Sequence, residues 1–144
     1  ILLTVYWHAR SAQTIFDRYP GARVWVPEVA TEKARERVEF TDTFASGDTL
    51  PGGVEPRESH DTTGEVLLWI PSQRALAAGD ILLGTPEGGV RVCPDSWLAE
   101  GVAPADVRDA LRTLLDLPIE LLLLGHGEPV RENAHAALDE ALTA

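Results

Sequence analysis

Residues 2–11, LLTVYWHARS, decide how the rest of the chain is interpreted. The apolar run over residues 1–6 predicts a buried strand, because a short unbroken apolar run is typical of a strand covered on both faces. Ser11 can cap the helix that follows, which ends at Pro20. Residues 22–26 predict a second strand. The first 26 residues therefore predict a β–α–β unit, with a parallel strand pair and a right-handed crossover.

The remaining pattern predicts helices at residues 29–37, 104–117 and 131–142, and strands at residues 38–44, 54–59, 65–70, 74–78, 81–83 and 119–124. Turn residues separate the strands between residues 38 and 83, which predicts an antiparallel meander. Residues 119–124 are the most hydrophobic run and predict a central strand. Residues 85–100 predict a loop whose Trp97 and Leu98 pack against the core.

Composition and charge indicate one globular domain and restrict its partners. The chain has 144 residues, of which 44% are hydrophobic and 24% charged, so we expect a single domain over residues 1–144. A formal charge of −11 would repel phosphate backbones and anionic lipid, so we expect neither a nucleic-acid nor a membrane partner. No segment approaches the roughly 18–20 apolar residues that a membrane span needs.

The cysteine and methionine counts bear on compartment and completeness. Cys93 is the only cysteine in the sequence, which excludes an internal disulfide framework and favours a reducing cytoplasm. The sequence contains no methionine, and Ile1 already lies inside a strand-like run. We therefore interpret the chain as a piece of a longer protein.

Three further short segments carry residues that suit a metal site. They are residues 58–64 (ESHDTTG) with His60, residues 78–80 (AGD) with Asp80, and residues 125–127 (GHG) with His126. Imidazole nitrogen and carboxylate oxygen are ligands for zinc and iron. A bound metal lowers the pKa of its water, so that hydroxide forms near neutral pH.

Together with the opening stretch, these segments resemble the motifs of the metallo-β-lactamase superfamily in order and approximate spacing. In that family the first motif strand ends in Thr-His-x-His-x-Asp-His, followed by Gly-His-Thr-x-Gly, a Gly-Asp whose carboxylate bridges two metals, and a last histidine. The resemblance covers nearly the whole chain. It implies an α/β fold, a metallo-β-lactamase-like αβ/βα sandwich.

The same resemblance implies that the N-terminal strands of the fold are lacking. The chain would then be the C-terminal two-thirds of a longer domain. One sheet would show an edge and an apolar face. We expect the missing segment, another chain or a homodimer partner to cover them.

The resemblance also implies that the metal centre has degraded. With Thr4 placed on the threonine of the first motif, its ligand positions are filled by Val5, Trp7, Ala9 and Arg10. His8 falls on a spacer position. We therefore expect no dinuclear site and no cofactor. The predicted function is that of a hydrolase-like pseudoenzyme, either inactive or binding a small molecule.

An alternative remains open, in which His60, Asp80 and His126 hold a single zinc or iron ion with open positions for water. Such a site would hydrolyse small ester, thioester or lactam-like substrates. In the family pattern the two histidines serve different metals, so one ion would have to move to reach all three residues. Each residue also has an ordinary interpretation: His60 can bond its turn through Asp61 or Thr62, and Asp80 and His126 can simply lie in turns.

Three residues near the lost ligands carry further expectations. His8 should face solvent or pack, unless a one-residue register slip makes it a displaced ligand. Tyr6 or Trp7 should fill part of the volume that metals and water occupy in active relatives. Arg10 is predicted to pair with Asp80, because a buried carboxylate without compensation is costly and a guanidinium matches its geometry.

Overall fold

The computed structural model describes residues 1–60 and 64–143. Its helices are α1 (Ala12–Arg18), α2 (Thr31–Arg35), α3 (Pro104–Leu111) and α4 (Ala134–Thr143). Its strands are β1 (Trp25–Pro27), β2 (Asp42–Phe44), β3 (Glu55–Glu58), β4 (Val66–Ile70), β5 (Ala75–Ala78), β6 (Leu82–Gly84), β7 (Val90–Val92) and β8 (Leu121–Leu124). Short 3₁₀ helices lie at Tyr6–His8, Glu28–Ala30, Pro71–Gln73, Asp95–Trp97 and Arg112–Asp116.

Over the described residues, the strands form three hydrogen-bonded groups. β1 and β2 form a parallel pair, and β6 and β7 form an antiparallel hairpin. The largest sheet has the order β3-β4-β5-β8. In it β3, β4 and β5 are antiparallel neighbours, whereas β8 joins β5 in parallel. The carboxyl ends of β5 and β8 therefore meet at one edge of this sheet.

Side-chain alternation along β4 shows how the layers pack. Leu67 and Trp69 face a core that contains the inward residues of α3 and α4. Val66 and Leu68 point the opposite way, into a second core shared with the β1–β2 pair. The other face of β1 packs on α1 and α2. The order is helices, sheet, sheet, helices, which is the αβ/βα sandwich that the sequence predicted.

The opening segment is less regular than predicted. Leu2 forms a single parallel bridge with Trp25, which confirms the parallel pairing of the first unit. The extended chain continues only to Val5, whose φ of −139° and ψ of 147° are those of a strand. It then coils into the 3₁₀ helix Tyr6–His8 instead of running on as a strand through residue 6.

Three expectations about the strands are wrong. β2 pairs in parallel with β1 and lies outside the antiparallel meander. Residues 85–100 contain β7, which pairs with β6. β8 lies at the end of its four-stranded sheet instead of at its centre, with only a single antiparallel bridge from Leu122 to Val130 beyond it.

The helices follow the sequence more closely. α3 begins at Pro104, as predicted, but its last turn tightens into the 3₁₀ helix Arg112–Asp116. Leu98 packs against the core, whereas the Trp97 side chain, expected to do the same, is exposed. Among the described residues, no helix combines the length and apolar character needed to cross a membrane.

Candidate metal centre

Three chain segments bring His8, Asp80 and His126 together. Asp80 comes two residues after β5 and His126 two residues after β8, and these strands are parallel neighbours with Ala78 paired to Leu124. Residues that follow the carboxyl ends of such strands lie side by side. His8 arrives from the other sheet, at the end of the 3₁₀ helix Tyr6–His8.

Gly125 allows this close approach. A Cβ atom at Gly125 would lie 2.7 Å from the carbonyl oxygen of Gly79 and 3.2 Å from Cε1 of His8. The first distance is shorter than real Cβ contacts, so a larger residue at this position would push the two loops apart. Gly125 is thus required by the packing of the site.

The two histidines share one oxygen of Asp80. Nε2 of His8 and Nε2 of His126 each lie 3.1 Å from Asp80 Oδ1. All three donor atoms lie within 4.8 Å of one another. Oδ1 is buried and, within the described part of the chain, has no partner with hydrogen-bond geometry. The contacts are short, but the ring N–H groups are not aligned on the oxygen as a hydrogen bond requires.

The other oxygen of Asp80 has a partner that sequence reasoning did not find. The indole Nε1–H of Trp7 donates a hydrogen bond of 2.6 Å to Oδ2. Tyr6 supports the indole in an edge-to-face contact with ring centroids 4.7 Å apart. Trp7 was expected only to fill space, and the sequence contains no signal that its N–H would face a carboxylate.

Glu65 fixes the backbone of the Asp80 loop. Its carboxylate is buried and accepts N–H bonds from Gly79 at 2.8 Å and from Asp80 and Ile81 at 3.0 Å each. Convergent N–H donors stabilise a buried carboxylate without a metal. The sequence pattern identifies Glu65 only as the first residue of a strand, although an acidic residue opening the apolar run of β4 is a signal that could have revealed this role.

A cavity of about 330 Å³ opens over the cluster. Its lining residues are Trp7, His8, Arg10, Ser11, Gly125 and His126. The side chains of His8 and His126 are 31% and 54% exposed, and that of Asp80 is 18% exposed. Both imidazoles line the cavity and are therefore accessible to a ligand, while the less exposed Asp80 lies behind them, in contact with both rings.

The predicted set of His60, Asp80 and His126 is brought together only in part. Asp80 and His126 meet, but the third member of the cluster is His8. His60 has a left-handed backbone with φ of 60°, and its Nδ1 lies 3.7 Å from a carboxylate oxygen of Glu58. It lines a different cavity. The expected bonds to Asp61 or Thr62 fall outside the described residues.

The expected ion pair between Arg10 and Asp80 is wrong. Arg10 is exposed and forms no ion pair in the part of the chain that the structure describes. The 3₁₀ turn after Val5 is the reason, because it carries Trp7 and His8 to Asp80 and leaves Arg10 at the rim of the cavity.

Comparison with solved structures identifies the fold. The DIM-1 metallo-beta-lactamase superposes with a TM-score of 0.68 and 15% identity, over 99% of this chain and 66% of that chain. A metallo-beta-lactamase family protein from Thermus thermophilus, TTHA1429, gives 0.66 and 20%, over 99% and 59%. TTHA1623, solved in a di-iron-bound form, gives 0.67 and 19%, over 98% and 74%. Neither a scan against family models nor a search of curated proteins gave a match.

These likenesses show that the chain has the metallo-β-lactamase fold. It spans between 59% and 74% of the length of these three structures. TTHA1623 was solved with two iron ions bound, which raises the question of whether the donor atoms present in this chain suit a metal ion. Two ions do not fit, because Val5 and Ala9 are buried apolar residues and the Trp7 indole can only donate. One ion fits the donor chemistry of His8, Asp80 and His126, since Asp80 Oδ1 is a buried acceptor without a hydrogen-bonded partner among the described residues.

Proposed function

We propose that this chain is a hydrolase-like protein of the metallo-β-lactamase fold that has lost the dinuclear hydrolytic centre and binds a small molecule at the former active site. One observation carries the proposal. In the resembled motif an aspartate at the position of Asp80 bridges two metals, but here Trp7 occupies one of its oxygens from a former ligand position. A former ligand position thus carries an N–H donor, which has no lone pair for a metal, and Val5 and Ala9 supply no donor atom in its place, so a second ion lacks ligands.

The cavity above the cluster supports a small ligand with an anionic group. Its volume of about 330 Å³ lies at the lower end of the range for small-molecule sites. Arg10 at its rim is an exposed cation without an ion-pair partner among the described residues, and Ser11 adds a hydroxyl group. A guanidinium binds a carboxylate or phosphate through two parallel hydrogen bonds.

Hydrolysis with a single metal ion is a second candidate function, and the His8–Asp80–His126 cluster favours it. A bound ion would supply a water of lowered pKa and polarise a substrate carbonyl. The three residues would hold it, and Arg10 would orient a small ester, thioester or lactam-like substrate that carries a negative charge. His60, the ligand first expected, has no part in this arrangement.

A pair of measurements separates the two functions. Hydrolysis of chromogenic ester, thioester and β-lactam reporters is followed with zinc or iron added, for the wild type and for Asp80→Ala. We expect no turnover above that of Asp80→Ala. Turnover that Asp80→Ala abolishes would replace the binding function with the single-metal hydrolase.

Ligand binding is measured separately by calorimetry, with benzoate and glutarate as probes. We expect weak binding that Arg10→Ala reduces at least tenfold and that Arg131→Ala, which removes an exposed arginine elsewhere on the surface, leaves unchanged. Equal binding by both variants would exclude Arg10 as the anion-binding residue.

A further inference from the structure

We propose that His8, Asp80 and His126 form a binding site for one divalent transition-metal ion, and that Trp7 orients the Asp80 carboxylate through its second oxygen while supplying no ligand for another ion. The inference rests on the proposed loss of the dinuclear centre and names what replaces it. His8 is a newly recruited ligand, since it stands at a spacer position of the motif that the chain resembles.

The geometry of the cluster is that of metal ligands. Two imidazole nitrogens approach the same oxygen at 3.1 Å, yet neither is aligned to donate to it. Leaving a buried carboxylate oxygen without a hydrogen bond is unfavourable. Zinc bonds of about 2.0–2.1 Å in a tetrahedral arrangement place two ligand atoms roughly 3.3 Å apart. The observed spacing is therefore close to that of donors around one small ion.

The backbone explains why His8 replaces the motif's own ligands. In an extended strand the side chains at positions 5 and 7 would share one face. Here the chain coils after Val5, and the His8 N–H reaches back to the Val5 carbonyl oxygen at 3.3 Å. Val5 turns into the core, fully buried, and the 3₁₀ turn directs both Trp7 and His8 toward Asp80. Positions 7 and 8 both face Asp80, and of the two only His8 offers a nitrogen that can bind a metal.

Trp7 and Glu65 hold Asp80 in the orientation that a single ion needs. The indole N–H has no lone pair to offer a metal, so Trp7 supplies no ligand for a second ion, and its bond to Oδ2 holds the carboxylate with Oδ1 toward the two imidazoles. The Glu65 carboxylate accepts hydrogen bonds from the N–H groups of Gly79, Asp80 and Ile81, and these bonds fix the backbone of the loop that carries Asp80. Outer contacts of this kind fix the orientation of metal ligands.

The donor set selects the class of metal. Two imidazoles and one carboxylate suit zinc and iron(II), whereas calcium and magnesium prefer sites made of oxygen donors. The exposed side of His126 faces the cavity and leaves room for a water or a ligand group as the fourth donor. Trp97 flanks this opening, with its ring centroid 6.1 Å from that of His126.

Metal titration of the chelator-treated protein tests the proposal. Zinc binding is measured by calorimetry, and bound metal is counted by elemental analysis after gel filtration. We expect one ion per chain. His8→Ala and His126→Ala should each weaken binding at least a hundredfold, while His60→Ala and His135→Ala, matched histidine variants outside the cluster, should bind as the wild type does. His8→Gln, which keeps the size and polarity of the side chain, should lose zinc even if His8→Ala fails to fold.

Cobalt(II) serves as a spectroscopic probe of the coordination. We expect the visible absorption of a low-coordinate site in the wild type, and Trp7→Phe should change this spectrum and weaken binding about tenfold, the scale of an outer-contact effect. A wild type that binds no zinc, binds two ions, or loses zinc with His60→Ala but not with His8→Gln would overturn the proposal. These outcomes do not depend on turnover, so a chain that binds one ion without hydrolysing any reporter supports both this site and the proposed function.

Discussion

Trp7 donates its indole N–H to Asp80 Oδ2 over 2.6 Å, from a position where the metallo-β-lactamase motif has a histidine. With tryptophan in place of histidine, the Asp80 carboxylate still has a partner, but that partner is a hydrogen-bond donor and not a metal ion. A histidine ligand would support a metal that binds the aspartate, whereas the indole binds the aspartate directly. An N–H group has thereby taken over one of the contacts that a metal would make.

The free energy of unfolding should reflect this bond. Trp7→Phe keeps an aromatic ring but leaves Oδ2 without its donor, so we expect the protein to lose about 1.5–3 kcal/mol, the range for a hydrogen bond to a charged group. Urea unfolding followed by circular dichroism measures the change. Trp97→Phe is the control, because the Trp97 side chain is exposed and donates no hydrogen bond within the described residues. Equal losses in the two variants would contradict the assigned role of the Trp7 N–H.

Glu65 offers a second stability test. Its carboxylate accepts three backbone N–H bonds in a buried position. Glu65→Gln has nearly the same shape but removes the charge and places an NH₂ group against N–H donors. We expect a loss of about 3 kcal/mol, since each hydrogen bond to a charged group contributes roughly 1.5–3 kcal/mol. Glu132→Gln, at an exposed position, should change the thermal midpoint very little.

The sequence predicted that Asp80 and His126, the two residues of the cluster that follow strands, lie close together. Asp80 and His126 each follow a strand and a glycine, and parallel neighbours bring such positions together. His8 and Trp7 could not be assigned in the same way. The strand was predicted to end at residue 6, but the backbone coils into a 3₁₀ helix from Tyr6 to His8, and the sequence does not show which side chains of that turn face Asp80.

The layer order of the fold could be predicted only from the resemblance to the metallo-β-lactamase motifs, because β4 is apolar throughout and its sequence does not show that alternate residues face two cores. β7 was missed because Gly88, Gly89 and Pro94 lie close to its three residues, and a segment rich in glycine and proline is more typical of a loop. The parallel partner of β2 was missed because pairing is a long-range property, and a run of short strands separated by turns is more typical of a meander.

The sequence predicted that Arg10 pairs with Asp80, whereas the structure predicts that Arg10 contributes little to the free energy of unfolding. Because its side chain is exposed and forms no ion pair with described residues, Arg10→Ala should change the free energy of unfolding by less than about 0.5 kcal/mol, as is usual for surface substitutions. Denaturant unfolding measures this. A loss of about 1 kcal/mol or more, on the order of a charged hydrogen bond, would indicate that Arg10 does reach a carboxylate.

Acid should weaken the ion pair between Arg23, two residues before β1, and Asp42 in β2. Arg23 donates a hydrogen bond from Nε to Oδ2 of Asp42 over 2.7 Å, and this bond lowers the pKa of Asp42. Burial opposes the shift, whereas a hydrogen bond from Thr41 lowers the pKa further. A carboxylate with a lowered folded pKa stabilises the protein above its unfolded pKa, and this contribution is lost as pH falls through the folded pKa. Arg23→Ala should raise the pKa of Asp42, as carboxyl NMR titration would show, whereas Arg131→Ala should leave it unchanged.

Gly125 provides the test that joins stability to the geometry of the cluster. A methyl group there would lie 2.7 Å from the Gly79 carbonyl oxygen and 3.2 Å from the His8 ring, so Gly125→Ala must separate the loops that carry Asp80 and His126. Overpacking of this kind costs typically about 1–3 kcal/mol, which unfolding measurements would detect. The same variant should also weaken zinc binding, because the donor atoms can no longer converge. Gly89→Ala is the matched control, since its added carbon meets only the hydroxyl group of Thr85, at 3.2 Å. If Gly125→Ala lowered stability but left zinc affinity intact, the close approach of the two loops would serve packing alone.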